Sequence, residues 1–291
     1  MPRNPSRTKR SAAPSSARNP KSRGSTQTVP VARSVPQKEE KVKPSVVLIG
    51  ADKGGVGKTT VARAMLDYLL ARNTLTRAFD TEFPRGALQR FHPRETALVD
   101  LTATADQMKI VDTLETAEVK VSIIDLRAGG FTTALQALKN MGFLDAVTSG
   151  EFNFLVFHVL GPSLSSLDEI EQIAPYVQNA HYYLVKNHVN DTTFFEWDPQ
   201  VHRKYFEKVN TAGEITIPKL DEMAYEQVEL AGEPFSSYVA NLDAEGEPAN
   251  HSFVLRGYVR TWMNKIAVEF DRAELLGAVA PRPVKAARFG R

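Results

Sequence analysis

The sequence predicts an α/β fold, a doubly wound, mostly parallel sheet flanked by helices and preceded by a disordered basic N-terminal tail. Three observations predict it. Short apolar runs rich in β-branched and aromatic residues recur after residue 45, and amphipathic stretches of helical length separate them. The segment before residue 45, by contrast, has almost nothing to bury.

That segment, residues 1–44, holds seven Pro, seven Ser and no aromatic, Leu or Ile residue. It cannot offset the entropy of ordering itself, which predicts disorder. It also carries eleven Lys and Arg against only Glu39 and Glu40, a charge of +9 in a chain whose net charge is +2. Residues 281–291 add Arg282, Lys285, Arg288 and Arg291 with no acid, which leaves 45–280 at −11. The expected division is therefore a basic tail at 1–44, one domain at 45–280 and a short basic tail at 281–291. Charge spread over a flexible arm suits nonspecific, salt-dependent contacts to DNA phosphates. A solvated tail that aids solubility is the competing reading. An organellar transit peptide is disfavoured, because seven prolines oppose an amphipathic helix.

The first strand is expected at Val46–Ile49, a continuous apolar run followed at once by Gly50, as in the middle of a parallel sheet. Further strands are expected at Ala78-Phe79, Val121–Ile124, Phe154–Phe157 and Tyr182–Val185. The helical stretches are Thr60–Arg72, Ala105–Glu118, Thr132–Met141 and Ser165–Val177. Absence of Cys excludes disulfides, thiolate metal sites and a cysteine nucleophile. No apolar run reaches the length of about 18 residues that spans a bilayer, and the N-terminus has no apolar signal core.

Between the first strand and the first helix stands Asp52-Lys53-Gly54-Gly55-Val56-Gly57-Lys58-Thr59-Thr60. Each residue type has a reason in phosphate binding. Glycines let backbone N–H groups turn inward around an anion, Lys58 can reach the β- and γ-phosphates, and the Thr59 hydroxyl can ligate Mg²⁺. The helix that follows aims its positive end at the same place. The generic pattern has Gly where Asp52 stands, and Lys53 is an additional lysine.

The stretch Lys53–Thr60 resembles the deviant Walker A motif of the ParA/MinD family, which includes plasmid- and chromosome-partitioning P-loop ATPases. The resemblance implies ATP and Mg²⁺ as cofactors. It gives Lys53 a role across a dimer interface, on the partner's ATP, and makes Lys53 through Thr60 the nucleotide-binding stretch. It further implies an ATP-dependent homodimer in the bacterial cytoplasm, associated with the nucleoid if the tail binds DNA, and an activating adaptor protein. The region Phe154–Asn187 and the loop after Asp125 look most like the conjugal-transfer TraL-like and plasmid-borne branch. An alternative is a nucleotide-gated interaction module with vestigial hydrolysis. A third reading, a metabolic P-loop ligase, is disfavoured by Lys53, since a small-molecule ligase has no need of a trans-acting lysine.

Acidic groups should complete the site at the carboxyl ends of neighbouring strands. Asp80-Thr81-Glu82-Phe83-Pro84 resembles the family's Asp-x-Asp-Pro switch I, with Glu82 in place of the second Asp and Pro84 one place late. The resemblance gives Asp80 the Mg²⁺ shell and Glu82 the attacking water. Asp125, ending Val121–Asp125, fits a Walker B acid on Mg²⁺. Leu126-Arg127-Ala128-Gly129-Gly130 then stands where the family has Thr-Pro-Pro, with a glycine pair that suits a mobile switch II. Asn187 lies where the family reads adenine, although Lys186-Asn187 also suits a turn. The six histidines form no metal-ligand spacing, and the aromatics Phe194, Phe195 and Trp197 suit core or lid as well as base stacking. Finally, Val254, Leu255, Tyr258, Trp262, Ile266 and Phe270 form a helical stripe within His251–Leu276. Its opposite face mixes acids with bases, which favours docking on the body over lying on a membrane.

Overall fold

A computed structural model describes residues 43–114, 119–189, 192–207 and 210–279. Apart from Lys43 and Pro44, both predicted basic tails lie outside the described residues. Seven strands form one sheet: β1 (Ser45–Gly50), β2 (Thr76–Asp80), β3 (Thr96–Leu98), β4 (Val121–Asp125), β5 (Asn153–Leu160), β6 (His181–Asn187) and β7 (Gly213–Ile217). Their order is β3-β2-β4-β1-β5-β6-β7 and every pairing is parallel.

Alternation along the central strands explains the continuous apolar runs. Val47 and Ile49 face one core layer with Ile123, Leu155 and Phe157, whereas Val46 and Leu48 face the other with Ile124, Phe154 and Val156. Both faces are covered, so both parities must be apolar. The first layer is covered by α1 (Lys58–Leu70), α8 (Glu222–Ala231), α9 (Phe235–Ala240) and α10 (Phe253–Arg272). The second is covered by α3 (Thr104–Val111), α4 (Phe131–Asn140), α5 (Phe143–Ser149) and α6 (Leu164–Ile173). Two short helices, α2 (Ala87–Phe91) and α7 (Pro199–Tyr205), and α11 (Leu275–Val279) complete the fold.

All five expected strands are present, extended by a few residues. The strands without a sequence signal are β3 and β7, at the two edges, where three residues or a half-polar Gly-Glu-Ile-Thr-Ile leave too little periodicity to read. The expected Ser165–Val177 helix is cut at Ile173 and passes into a 3₁₀ turn, Ala174–Tyr176, at Pro175, which cannot supply a backbone N–H. The Ala105–Glu118 helix ends at Val111, and residues 115–118 lie outside the described set.

The last long helix docks on the body, but through a rotated stripe. Val259, Trp262, Ile266 and Phe270 are buried in the first layer, and the Trp262 indole N–H donates to Pro218 O at 2.6 Å. Val254 and Tyr258, expected in that stripe, are exposed, because the face that packs on the first layer runs through Leu255, Val259, Trp262, Ile266 and Phe270, one position further along the chain. No described helix is long and apolar enough to cross a membrane.

Candidate phosphate-binding site

The site lies where parallel strands end and chain direction divides around β1, the usual position of a crevice in open α/β sheets. Adjacent strands bring Asp125 level with Ile49 on one side and with Asp80 on the other. Residues 51–57 turn between β1 and α1, with Gly55 at φ +74° and Gly57 at φ +85°. Gly57 has a second reason to be glycine. A Cβ there would lie 2.1 Å from the Asn187 amide nitrogen.

Asn187 braces this loop from the end of β6. Its Nδ2 donates to Val56 O at 2.8 Å in a buried contact, which uses one of the two amide N–H groups, and the residue also lines the cleft. Lys58, first residue of α1, is buried and its Nζ donates to Lys53 O at 3.1 Å, closing the loop on itself. Burial depresses its pKa, against the opposing fields of Asp125, Glu169, Glu82 and Asp52. Lys53 itself is exposed, as are Gly54 and Gly55. Thr60 is half-buried and touches the Tyr225 hydroxyl.

Asp125 is 2 % exposed, with Oδ2 accepting from the Thr59 hydroxyl at 2.7 Å. Oδ1 is buried and has no partner. Burial pushes this carboxyl up to about 8, Asp80 and Glu82 add to the rise, and Thr59 and Lys58 oppose it. A buried carboxylate with an idle oxygen beside a threonine hydroxyl is a donor set for a hard, oxygen-seeking cation, whose charge would reverse that pKa shift. The residues present therefore fit Mg²⁺.

The two acids after β2 that were expected in switch I differ. Glu82 is exposed and lines the cleft. Asp80 is buried with both oxygens engaged: Oδ1 accepts from Glu82 N at 2.9 Å, and Oδ2 from Leu88 N at 2.7 Å and Gln89 N at 3.2 Å. In this conformation Asp80 holds the start of α2 against the end of β2. Oδ1 accepts a single hydrogen bond and keeps a second lone pair, which can still take a water of a metal shell.

Four residues that sequence reasoning left without a role tie the site together. The Asp52 carboxylate accepts from Phe131 N at 2.8 Å and from the Thr132 hydroxyl at 2.5 Å, and its carbonyl accepts from Gly129 N at 2.9 Å. It thus caps α4 from the phosphate loop, a task glycine could not perform. Glu169 on α6 accepts from Asp52 N at 2.9 Å and Lys53 N at 3.0 Å. His158 Nε2 lies 3.3 Å from the same carboxylate and its Nδ1 lies 2.9 Å from the Tyr182 hydroxyl. Burial depresses the His158 pKa, so the ring is neutral, with Nε2 donating to Glu169 and Nδ1 accepting from Tyr182. Thr81 joins the loops after β2 and β4: its hydroxyl donates to Asp125 O at 3.2 Å and accepts from Arg127 N at 2.9 Å. Asp52 had a sequence signal, as a departure from the generic loop. Glu169 had none, being more than a hundred residues away.

The resulting cleft has a volume of about 510 Å³. Besides the loop it is lined by Glu82, Arg127, Asn187, Pro218, Leu220 and Trp262. It joins a polar, cationic end to an apolar wall, a lining that suits a phosphorylated ligand with a flat ring.

No family model matches the chain, and no curated protein does. Solved structures do. The septum site-determining protein MinD of Pyrococcus horikoshii, complexed with Mg-ADP, aligns with a TM-score of 0.50 and 16% identity, over 82% of this chain and 99% of that one. The MinD cell division protein of Aquifex aeolicus aligns with a TM-score of 0.44 and 16% identity, over 76% and 97%. A putative plasmid partition protein of Borrelia burgdorferi, bound to AMPPNP, aligns with a TM-score of 0.44 and 13% identity, over 79% and 99%. With a phosphate loop leading out of the central strand of a parallel sheet, and with the P. horikoshii protein matched over nearly its whole length, the chain has the MinD-type P-loop NTPase fold.

Proposed function

We propose that the chain is a ParA/MinD-family ATPase that acts as a dimerising switch in positioning or segregating a cargo. The observation that carries this is the pairing of an exposed Lys53 with a buried Lys58, five residues apart on one loop, opposite the unpartnered Asp125 Oδ1. Lys58, the loop N–H groups from Gly54 through Thr60 and the wall near Asn187 bind ATP. Thr59 and Asp125 hold Mg²⁺, which when bound neutralises phosphate charge. Lys53, pointing to solvent, is available to the nucleotide of a second copy. Glu82 is the acid free to orient water, while Asp80 holds switch I in place. Because one flexible Glu does that work, turnover is slow, and an adaptor protein that orders switch I accelerates it. The ATP-bound dimer presents two basic tails and so gains avidity for DNA.

The direct test is equilibrium binding of a fluorescent ATP analogue with and without Mg²⁺. The wild-type chain binds in a Mg²⁺-dependent manner, and Lys58→Ala and Asp125→Ala weaken binding by roughly tenfold or more. Equal binding by all three proteins would overturn the site. Turnover measured with and without DNA then separates an ATPase switch from a nucleotide-gated binding module with vestigial hydrolysis.

A further inference from the structure

We propose that Arg127 is a catalytic residue of this site, an arginine supplied in cis by the loop after β4 to the terminal phosphate of a bound nucleoside triphosphate. The proposal deepens the nucleotide reading above and rests on it. Arg127 lines the cleft together with Gly55, Lys58, Thr59 and Glu82. It is exposed, and its guanidinium makes no hydrogen bond or ion pair among the described residues. Lys58, by comparison, is already held by a loop carbonyl.

The backbone beneath Arg127 is fixed on both sides. Arg127 N donates to the Thr81 hydroxyl at 2.9 Å, Gly129 N donates to Asp52 O at 2.9 Å, and Phe131 N donates to the Asp52 carboxylate at 2.8 Å. Asp52 belongs to the phosphate loop itself, so the root of the arginine is registered to that loop while its side chain remains unpaired. The stem lies over Gly130, where a Cβ would meet Arg127 Cγ at 3.2 Å. That places the residue on the border between the phosphate cleft and a smaller cavity of about 120 Å³ that contains Asp100 and Thr102. The Asp100 carboxyl is held below its usual range first by the hydrogen bonds it accepts from Thr102 and last by the charge of Arg127, with which it makes no ion pair.

A guanidinium is always charged, and its planar fork matches two phosphate oxygens. In hydrolysis the water oxygen bonds to the γ-phosphorus as the bridging P–O bond breaks to release ADP, and the water proton leaves to a phosphate oxygen or solvent. Charge accumulates on the equatorial oxygens during that exchange, and a fixed cation there stabilises the transition state more than the ground state. Arg127 neither gives nor takes a proton.

The test compares the full-length wild-type chain with Arg127→Ala and Arg127→Lys. ADP binding and binding of ADP with aluminium fluoride are both measured with Mg²⁺ present, alongside ATP turnover. Arg127→Ala is expected to keep ADP affinity within about threefold, to lose at least roughly tenfold in the fluoride complex and to lower kcat by roughly a hundredfold. Arg127→Lys falls between the two. Wild-type tightening by aluminium fluoride in Arg127→Ala overturns the proposal and leaves the nucleotide site standing. A wild-type chain that binds neither ADP nor ATP overturns both.

Discussion

The Glu169 carboxylate accepts the backbone N–H of Lys53 at 3.0 Å, so the exposed lysine stands on a buried anion carried by another helix. The same carboxylate takes Asp52 N and lies against neutral His158, which makes α6 the support for the front edge of the phosphate loop. In Glu169→Gln one of two acceptor oxygens becomes a donor facing an N–H. The expected cost is about 1–3 kcal/mol in urea denaturation, together with weaker ATP-dependent self-association. Stability and association both equal to wild type would show that the loop holds its shape without Glu169.

Lys53 and Lys58 sit on the same loop but at opposite extremes of burial, and their losses should separate. Lys53→Ala should bind ATP within a few-fold of wild type yet stay monomeric in light scattering with ATP and Mg²⁺. Lys58→Ala should fail already at nucleotide binding. A Lys53→Ala protein that dimerises normally would remove the trans role from the mechanism.

Pro44 O accepts from Asn153 N at 2.9 Å and Pro44 is buried, so the sheet begins to be built one residue before β1. A fair test of the basic tail therefore deletes residues 1–42 and leaves Pro44 in place. DNA affinity in the presence of ATP should fall, and the slope of log affinity against log salt should become shallower by about 0.9 for each phosphate that the tail no longer neutralises. Unchanged affinity and slope would move the DNA surface to the body.

Asp67 in α1 is buried beneath the Ser236 hydroxyl, which donates to it at 2.6 Å, and burial raises its pKa to about 6. An unfolded Asp releases its proton near 3.8, so between these values the folded chain holds a proton that the unfolded chain has released. The stability contribution is thus full below about pH 4 and is lost as pH rises through about 6. Asp67→Asn, which keeps an acceptor for Ser236, should be more stable than wild type at about pH 7.5 by roughly 1–3 kcal/mol, the gap closing below about pH 4. Denaturation at several pH values checks this. A variant less stable at neutral pH would show that Arg63 and the Ser236 donors stabilise the ionised Asp67 by more than burial disfavours it.

What could be read from the sequence was local. The strand before the loop, the glycines, Lys58, Thr59 and the start of α1 lie within fifteen consecutive residues, and their chemistry follows from spacing along one chain. The same holds for the central strands, because burial on both faces makes every residue of a short run apolar, as in Val46–Ile49. The edge strands β3 and β7 lacked that mark, since an edge faces fewer neighbours and tolerates polar residues such as Glu214 and Thr216. The stripe of α10 was displaced because the sequence records which residues are apolar, and with Val254, Leu255, Tyr258 and Val259 all apolar it does not say which adjacent row a helix turns towards the sheet.

The sequence by itself determined that a phosphate loop leaves a buried strand and that acids end the strands beside it. Only the tertiary structure decided how those parts are held. It places Glu169 under Lys53, Asp52 on the end of α4, Asn187 against Val56 and Thr81 between the loops after β2 and β4, pairings that join residues up to 131 positions apart. It also separates two acids that looked alike, leaving Glu82 in the cleft and committing Asp80 to backbone N–H groups. The reason is physical. A hydrogen bond between distant residues leaves no periodicity in the chain, and whether a carboxylate is free for chemistry depends on which donors the folded backbone brings to it.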